Sequence, residues 1–139
     1  MKIALLKKNS IVIGSDEIAV VGNKILGKPL TKKNAQKQLN LISGKKVIFK
    51  TGICVIDTNT MKKYSSVVNY YVQMKKLSKK IIDNYIDKED MLSCAASIRM
   101  EGLAISLIKK TAGEDPTSVI GLPLIRLTTY LEKFGYKEQ

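Results

Sequence analysis

The chain has 139 residues, of which 45% are apolar and 26% charged; this is the size and balance of one globular domain and excludes wholesale disorder. It contains no histidine, which excludes histidine triads and HExxH zinc sites. Its two cysteines, Cys54 and Cys94, are far apart in the sequence, so they indicate neither a zinc site nor a disulfide scaffold. This cysteine usage indicates an intracellular, reducing compartment. The net charge is +12, and because all but two of the 24 basic residues are lysines, which act as point charges, sequence-specific DNA recognition is disfavoured.

The start of the chain predicts neither a secretion signal nor a membrane anchor. Only four apolar residues in a row precede Lys7, too few for the core of a signal peptide. Nowhere do about 18 apolar residues follow one another, the length that a membrane span requires. We therefore expect no association with a membrane.

The next segment predicts a strand, a hairpin and a helix. Residues 11–13 are an apolar run, which predicts a buried strand that ends in the polar residues 14–16. Residues 18–26 predict a hairpin with a Gly-Asn turn. Thr31 is placed to cap a helix that runs to Ile42, with apolar residues on one face.

The middle of the chain predicts two paired strands and a short helix. Apolar residues alternate in 47–56 and in 64–73, and the turn residues 57–59 between them predict an antiparallel pair. Ser78 is placed to cap a short amphipathic helix, which an acidic loop at 87–90 follows.

The last third predicts a strand at 103–109, a loop at 113–118 and a final helix. Pro123 occupies the first turn of that helix, which ends at Gly135. The order of elements predicts one α/β domain over the whole chain, with a mixed, twisted sheet flanked by helices.

Two short motifs place charged residues where phosphate chemistry could use them. In GSDE at 14–17, Asp16 can hold a divalent metal or activate water, although an aspartate there is also a common turn residue. In LGKPL at 26–30, the glycine lets Lys28 and a backbone amide approach one phosphate together, although the motif also suits an ordinary turn. Both roles stay open for each motif.

The basic charge is concentrated in residues 1–50, which hold eleven lysines and two acids. This half of the chain is therefore expected to attract anions such as a polyphosphate, or to form a lysine-rich solvated surface. Glu101 is an acid within an apolar, small-residue segment, 93–104. Because a buried carboxylate is costly unless paired, we expect a metal, a basic group or a ligand beside it.

In this order and spacing, five motifs resemble the Maf family of nucleoside triphosphate pyrophosphatases over residues 11–134: IVIGSDE, KILGKPLTKKNAQKQLNLISGK, FKTGICV, CAASIRMEGLAISLI and EDPTSVIGLPLI. CA-x-S-x-x-x-EGL and DPT-x-x-IGLPLI resemble the family's 7-methyl-GTP pyrophosphatase branch more narrowly. The resemblance implies a Maf/inosine-triphosphatase-like fold with a cleft between two lobes and a cytoplasmic location. It also implies hydrolysis of 7-methyl-GTP, or of a related nucleotide, to the monophosphate and pyrophosphate with a divalent metal, Mg or Mn.

Carried over position by position, the resemblance implies that Asp16 accepts a proton and binds the metal and that Lys28 binds phosphate. It implies that Glu17 and Glu101 contact the substrate and bear on the choice of base. A carboxylate such as Glu101 suits 7-methylguanine, which is cationic and offers N–H donors. We also expect the two nearby glutamates to raise one another's pKa.

The chain departs from the family pattern in three places. Met1 falls well inside that pattern, so we expect the chain to lack the family's first strand, its S-x-S-P-R-R phosphate loop and its first helix, which leaves a sheet edge uncovered. Glu17 stands where the branch usually has Gln. Ala96 and Ala104 replace two glycines, where we expect close backbone contact or a positive φ.

Two other functions stay open. One is a non-catalytic, nucleotide- or RNA-binding remnant of the family that uses the basic half of the chain. The other is a structural homodimer formed through the uncovered sheet edge. For the pyrophosphatase, the expected partner is a nucleoside triphosphate, a homodimer stays open, and neither a membrane nor a sequence-specific nucleic acid is expected.

Overall fold

The structure, a computed structural model, describes residues 2–137 and is built on one sheet of five strands in the order β2-β1-β3-β4-β5. The strands are β1 (Ile11–Val21), β2 (Lys24–Leu26), β3 (Lys46–Asp57), β4 (Lys63–Met74) and β5 (Ile108–Gly113). The α-helices are α1 (Lys2–Leu6), α2 (Lys32–Ile42), α3 (Lys79–Lys88) and α4 (Leu124–Lys133), and three 3₁₀ helices span Ala95–Ser97, Leu103–Leu107 and Pro116–Ile120. The predicted α/β class is confirmed, and over the described residues the sheet is antiparallel throughout rather than mixed in direction.

Both predicted hairpins are confirmed. β1 and β2 pair up to Val21 and Lys24, and Gly22 between them has a φ of +59°, which glycine adopts without strain. β3 and β4 pair along nearly their whole length, and the Asp57 carboxylate accepts the Asn59 N–H (2.9 Å) in the turn. Over the described residues, the first eight positions of β1 pair with β3 alone, so this stretch forms an edge of the sheet.

One face of the sheet carries two separate apolar clusters. Near one end of β3, Val47 and Phe49 pack with residues of α2 and α3. Near the other end, Ile53 and Val55 pack with residues of α4. Thr51 lies between them on the same buried face, because side chains alternate along a strand. The sheet therefore supports two groups of helices with a polar residue at the boundary.

The predicted starts of α2 and α3 are confirmed. Thr31 Oγ1 accepts the Asn34 N–H (3.1 Å), and Ser78 Oγ accepts the Ile81 N–H (3.2 Å), so each hydroxyl satisfies a backbone donor that the helix leaves unpaired.

The start of α4 is capped from a distance. Pro123 precedes the helix and caps nothing with its side chain. Instead, Thr117 Oγ1 accepts the Leu124 N–H (2.9 Å), and Asp115 Oδ2 accepts the Ile125 N–H (2.9 Å). Burial raises the pKa of Asp115, but the hydrogen bonds from Thr117, Ile125 and Ser118 together lower it below its ordinary value. The DPT segment thus holds α4 in place.

Four predicted boundaries are wrong. β1 does not end at 14–16 but continues to Val21, because the ladder with β3 extends through these polar residues, and its first residues are not buried: Ile13 is 44% exposed. The predicted strand at 103–109 begins only at Ile108, since residues 103–107 form a 3₁₀ helix. The predicted loops at 87–90 and 113–118 are shorter than expected, because α3 extends to Lys88 and a 3₁₀ helix begins at Pro116.

No helix within residues 2–137 has the length and the hydropathy needed to cross a membrane.

We expect Asp115→Ala to lower the free energy of unfolding by about 2–4 kcal/mol, measured by urea denaturation. Asp115 is 1% exposed, and its loss leaves the Thr117 and Ile125 N–H groups without their acceptor. Glu114→Ala is the control: Glu114 pairs with Arg126 at the surface (3.0 Å) and should contribute less than about 1 kcal/mol. Equal losses in the two variants would contradict the capping role of Asp115.

Candidate active site

A cleft of about 280 Å³ opens over β1, between the segment 93–101 and the 3₁₀ helix Pro116–Ile120. All four residues predicted for the site line it: Asp16, Glu17, Lys28 and Glu101. They come from β1, from the loop after β2 and from the segment before β5, so the fold brings together side chains that are distant in sequence.

Glu17 is a half-buried carboxyl group on the cleft side of β1. Burial raises its pKa from 4.5 to about 7; the Thr51 hydroxyl opposes this, and the charges of Glu101 and Asp16 add to it. The expected repulsion from Glu101 is thus present for Glu17, although burial is the larger cause.

The Thr51 hydroxyl lies between Glu17 and the backbone. Its oxygen is 2.8 Å from the Ser118 carbonyl oxygen and 3.2 Å from Glu17 Oε2. A hydroxyl has one proton, and the carbonyl is the nearer acceptor. The bond from Thr51 to Glu17 is therefore the longer of the two, and it lowers the pKa of Glu17 by less than burial raises it.

Glu101 is not the buried carboxylate that its apolar segment suggested. Its side chain is 47% exposed, because the residue lies at the rim of the cleft. A basic group does lie beside it, as expected: Arg99 Nε is 3.5 Å from Glu101 Oε1. Arg99 also pairs with Glu89 through Nη1 (3.3 Å), so this arginine joins an exposed carboxylate to one that is only 10% exposed.

Sequence reasoning did not identify Glu89, which positions the loop that carries Glu101. Glu89 Oε2 accepts the Leu103 N–H (2.7 Å), and Oε1 accepts the Asp90 N–H (3.0 Å). The Leu103 hydrogen bond is the main reason why the pKa of Glu89 is lowered. A Cβ at Gly102 would overlap the Glu89 carboxylate, so the glycine next to Glu101 is required by close contact.

Lys28 lies on an exposed loop whose backbone is held on both sides. The Gly27 carbonyl oxygen accepts the Ala96 N–H (3.1 Å) and Gln38 Nε2 (3.0 Å), and Asn34 Nδ2 donates to the Pro29 carbonyl oxygen (3.0 Å). The lysine therefore projects from a fixed loop at the side of the cleft.

Asp16 lies in the middle of β1, in the part that forms an edge of the sheet and opposite Gly52, and not at the end of a buried strand as predicted. Its side chain is exposed, and Oδ1 accepts the Glu17 N–H (2.9 Å). Because side chains alternate along the strand, Asp16 also borders a shallow concavity of about 450 Å³ on the opposite face of the sheet.

The two alanines that stand at family glycine positions behave differently. Ala96 has a φ of +56° and is fully buried, so the expected positive φ is confirmed there. Ala104 lies in the 3₁₀ helix Leu103–Leu107 without a positive φ and is also fully buried, so close packing is the constraint at that position.

The carboxylates fit a metal that is shared with a ligand better than one held by protein alone. Within residues 2–137, no three acidic or cysteine side chains form a group that could hold an ion. Mg²⁺ commonly takes one or two carboxylates and completes its shell with waters and substrate phosphates. Asp16, an exposed carboxylate on the same cleft as Lys28, suits that arrangement.

We expect the free energy of unfolding to fall by about 1–3 kcal/mol between pH 5 and pH 8 through Glu17. Its folded pKa of about 7 exceeds the ordinary 4.5, so folding takes up a proton in this window and stability is lost as the pH rises. Glu17→Gln should abolish this fall, measured by urea denaturation at both pH values. Glu132→Gln, at an exposed position of α4, is the control and should retain it. The same fall in both variants would show that another group is responsible.

Comparison with known proteins identifies relatives over nearly the whole chain. The model of the Maf-like protein family matches residues 1–134. Proteins named 7-methyl-GTP pyrophosphatase from Nitrosococcus oceani, Aliivibrio fischeri and Alcanivorax borkumensis are 47%, 45% and 43% identical over 128, 127 and 127 residues. The matches cover 92%, 91% and 91% of this chain but 64%, 66% and 64% of the relatives, so the chain spans less than two thirds of their length. The resemblance in sequence motifs is thereby confirmed, and the chain belongs to the Maf-like protein family.

Proposed function

We propose that the chain hydrolyses a nucleoside triphosphate, 7-methyl-GTP or a related nucleotide, to the monophosphate and pyrophosphate. The observation that carries this proposal is the cleft that Asp16, Lys28, Glu17 and Glu101 share. The names of the relatives support the same reaction and do not favour a purely binding remnant.

The phosphate end of the proposed reaction depends on Asp16 and Lys28. Attack of water on the α-phosphate builds negative charge on the phosphoryl oxygens, and the Lys28 ammonium at the side of the cleft would offset part of it. Asp16 would orient the attacking water and accept its proton, for which an exposed carboxylate is suited. A bound Mg or Mn ion would neutralise phosphate charge further, with Asp16 as its protein ligand.

The base end depends on the rim of the cleft. Glu101 offers a carboxylate to the N–H donors of a cationic 7-methylguanine, and its salt bridge to Arg99 holds that carboxylate in place. Glu17 in its neutral form would offer a donor as well as an acceptor to a base. A homodimer and a cytoplasmic location stay predictions alongside this proposal.

Asp16→Asn should reduce the rate of pyrophosphate release from 7-methyl-GTP by about 100-fold or more, because the amide keeps the size but not the basicity of the carboxylate. The assay measures pyrophosphate released by the 139-residue chain with Mg²⁺ or Mn²⁺. Asp87→Asn, at an exposed position near the end of α3, is the control and should leave the rate unchanged. A wild-type rate in the Asp16→Asn variant would show that Asp16 takes no part in the mechanism.

Glu101→Gln should lower kcat/KM for 7-methyl-GTP by about 10-fold and that for GTP or UTP much less. The amide keeps the shape but loses the charge that a cationic base would contact. The measurement is kcat/KM for the three substrates with each protein. If all three values fall by the same factor, Glu101 supports the loop and does not recognise the base.

A further inference from the structure

The guanidinium group of Arg99 lies behind the rim of the cleft and contacts three acceptors there. Its Nε is 3.5 Å from Glu101 Oε1, and its Nη1 is 3.3 Å from Glu89 Oε1 and 3.4 Å from the Asp90 carbonyl oxygen. Glu101 borders the cleft, whereas Arg99 does not. Arg99 is therefore placed to act on a ligand in the cleft through Glu101.

One positive charge serves two carboxylates in this cluster. Glu89 is only 10% exposed, and the N–H groups of Leu103 and Asp90 stabilise its ionised form, so its negative charge stays beside the arginine. Within residues 2–137, no basic group other than Arg99 forms an ion pair with Glu101. The salt bridge that holds the Glu101 carboxylate in place thus also neutralises part of its charge.

A cationic base and a neutral base would respond differently to this neutralisation. A cation in contact with Glu101 is attracted by the carboxylate and repelled by the guanidinium group behind it, since both charges act on it over a few ångströms. A neutral base lacks the charge on which these forces act. Arg99 and Glu101 are 39% and 47% exposed, so solvent screens the pair in part and the expected effect is moderate.

We propose that Arg99 is a positioning residue for base selection: acting through Glu101, it limits the preference of the site for a cationic base over a neutral one. The inference rests on the proposed function for the identity of the ligand, because 7-methylguanine differs from guanine by a methyl group and a positive charge. Without the guanidinium group, Glu101 would present its full charge to the base. Loss of Arg99 should therefore increase selectivity for the cationic base, which general damage to the loop would not do.

The test is the binding of 7-methyl-GMP and of GMP to the 139-residue chain by calorimetry, which requires no catalysis. In Arg99→Met, which keeps an unbranched side chain and removes its charge, the ratio of the two association constants should rise by about 5-fold in favour of 7-methyl-GMP. Arg99→Lys keeps the charge and should stay within about 2-fold of the wild-type ratio. If Arg99→Met does not fold, Arg99→Gln removes the same charge with an amide that can still donate to Glu89.

Arg126→Met is the matched control, since Arg126 pairs with Glu114 at the surface and does not border the cleft. It should leave the ratio unchanged. Because the proposed effect is electrostatic, the rise in Arg99→Met should also shrink as the salt concentration increases.

The outcomes separate this inference from the proposed function. Weaker binding of both nucleotides with an unchanged ratio would show that Arg99 only supports the loop, and a lower ratio would show that it aids the contact between Glu101 and a cationic base; either result overturns the inference. Hydrolysis of 7-methyl-GTP with an unchanged ratio would overturn it while leaving the proposed function in place. A raised binding ratio in a chain that hydrolyses neither triphosphate would support the inference and contradict the proposed function, and failure to bind either nucleotide would overturn both.

Discussion

The hydrogen bond between the Thr51 hydroxyl and the Ser118 carbonyl oxygen is the contact on which the cleft depends. Thr51 is fully buried at the boundary between the two apolar clusters, where an unpaired hydroxyl would be costly. Because the Ser118 carbonyl oxygen accepts this hydrogen bond, the 3₁₀ helix Pro116–Ile120 is held against the sheet. A second contact nearby, from Ser15 Oγ to the Gly121 carbonyl oxygen (2.7 Å), holds the end of the same segment to β1. These two hydrogen bonds hold the sheet and the 3₁₀ helix together at the base and along one side of the cleft. Glu17 is partly buried between the sheet and this helix.

The opposite wall is held by charge. Glu89 accepts two backbone N–H groups and pairs with Arg99, which in turn pairs with Glu101 at the rim. The almost buried carboxylate of Glu89 thus determines, through Arg99, where the exposed carboxylate of Glu101 lies. The two walls differ in kind, since one depends on neutral hydroxyl–carbonyl bonds and the other on ion pairs. High salt weakens exposed ion pairs far more than buried neutral bonds, so it should affect the Glu101 side of the cleft first.

Local sequence rules predict part of this structure. The caps at Thr31 and Ser78, the Gly-Asn turn and the alternation in β3 and β4 depend on neighbouring residues, and each is present. The continuation of β1 through Asp16 could not be predicted in this way, because the ladder with β3 overrides the local turn preference of Gly-Ser-Asp.

The same limit holds for the site. The motifs identify the four residues that share the cleft, but their surroundings depend on partners that are distant in sequence. Thr51 reaches Glu17 from 34 residues away, and its contact bears on the protonation of that carboxyl group. The role of Glu89 depends on Leu103, 14 residues along the chain, and no local pattern around Glu89 indicates it. Glu101 lies in an apolar segment yet is half exposed, because the segment turns its side chain to the rim.

The contact between Gly102 and Glu89 has a consequence for how this chain can vary. A side chain at 102 needs the volume that the Glu89 carboxylate fills, and that carboxylate is held in place by its hydrogen bonds to the Leu103 and Asp90 N–H groups. Neither position can change size alone without loss of these bonds. We therefore expect the two positions to vary together: among homologues, a residue larger than glycine at 102 should occur together with a shorter residue at 89, and a glutamate at 89 should occur with glycine at 102.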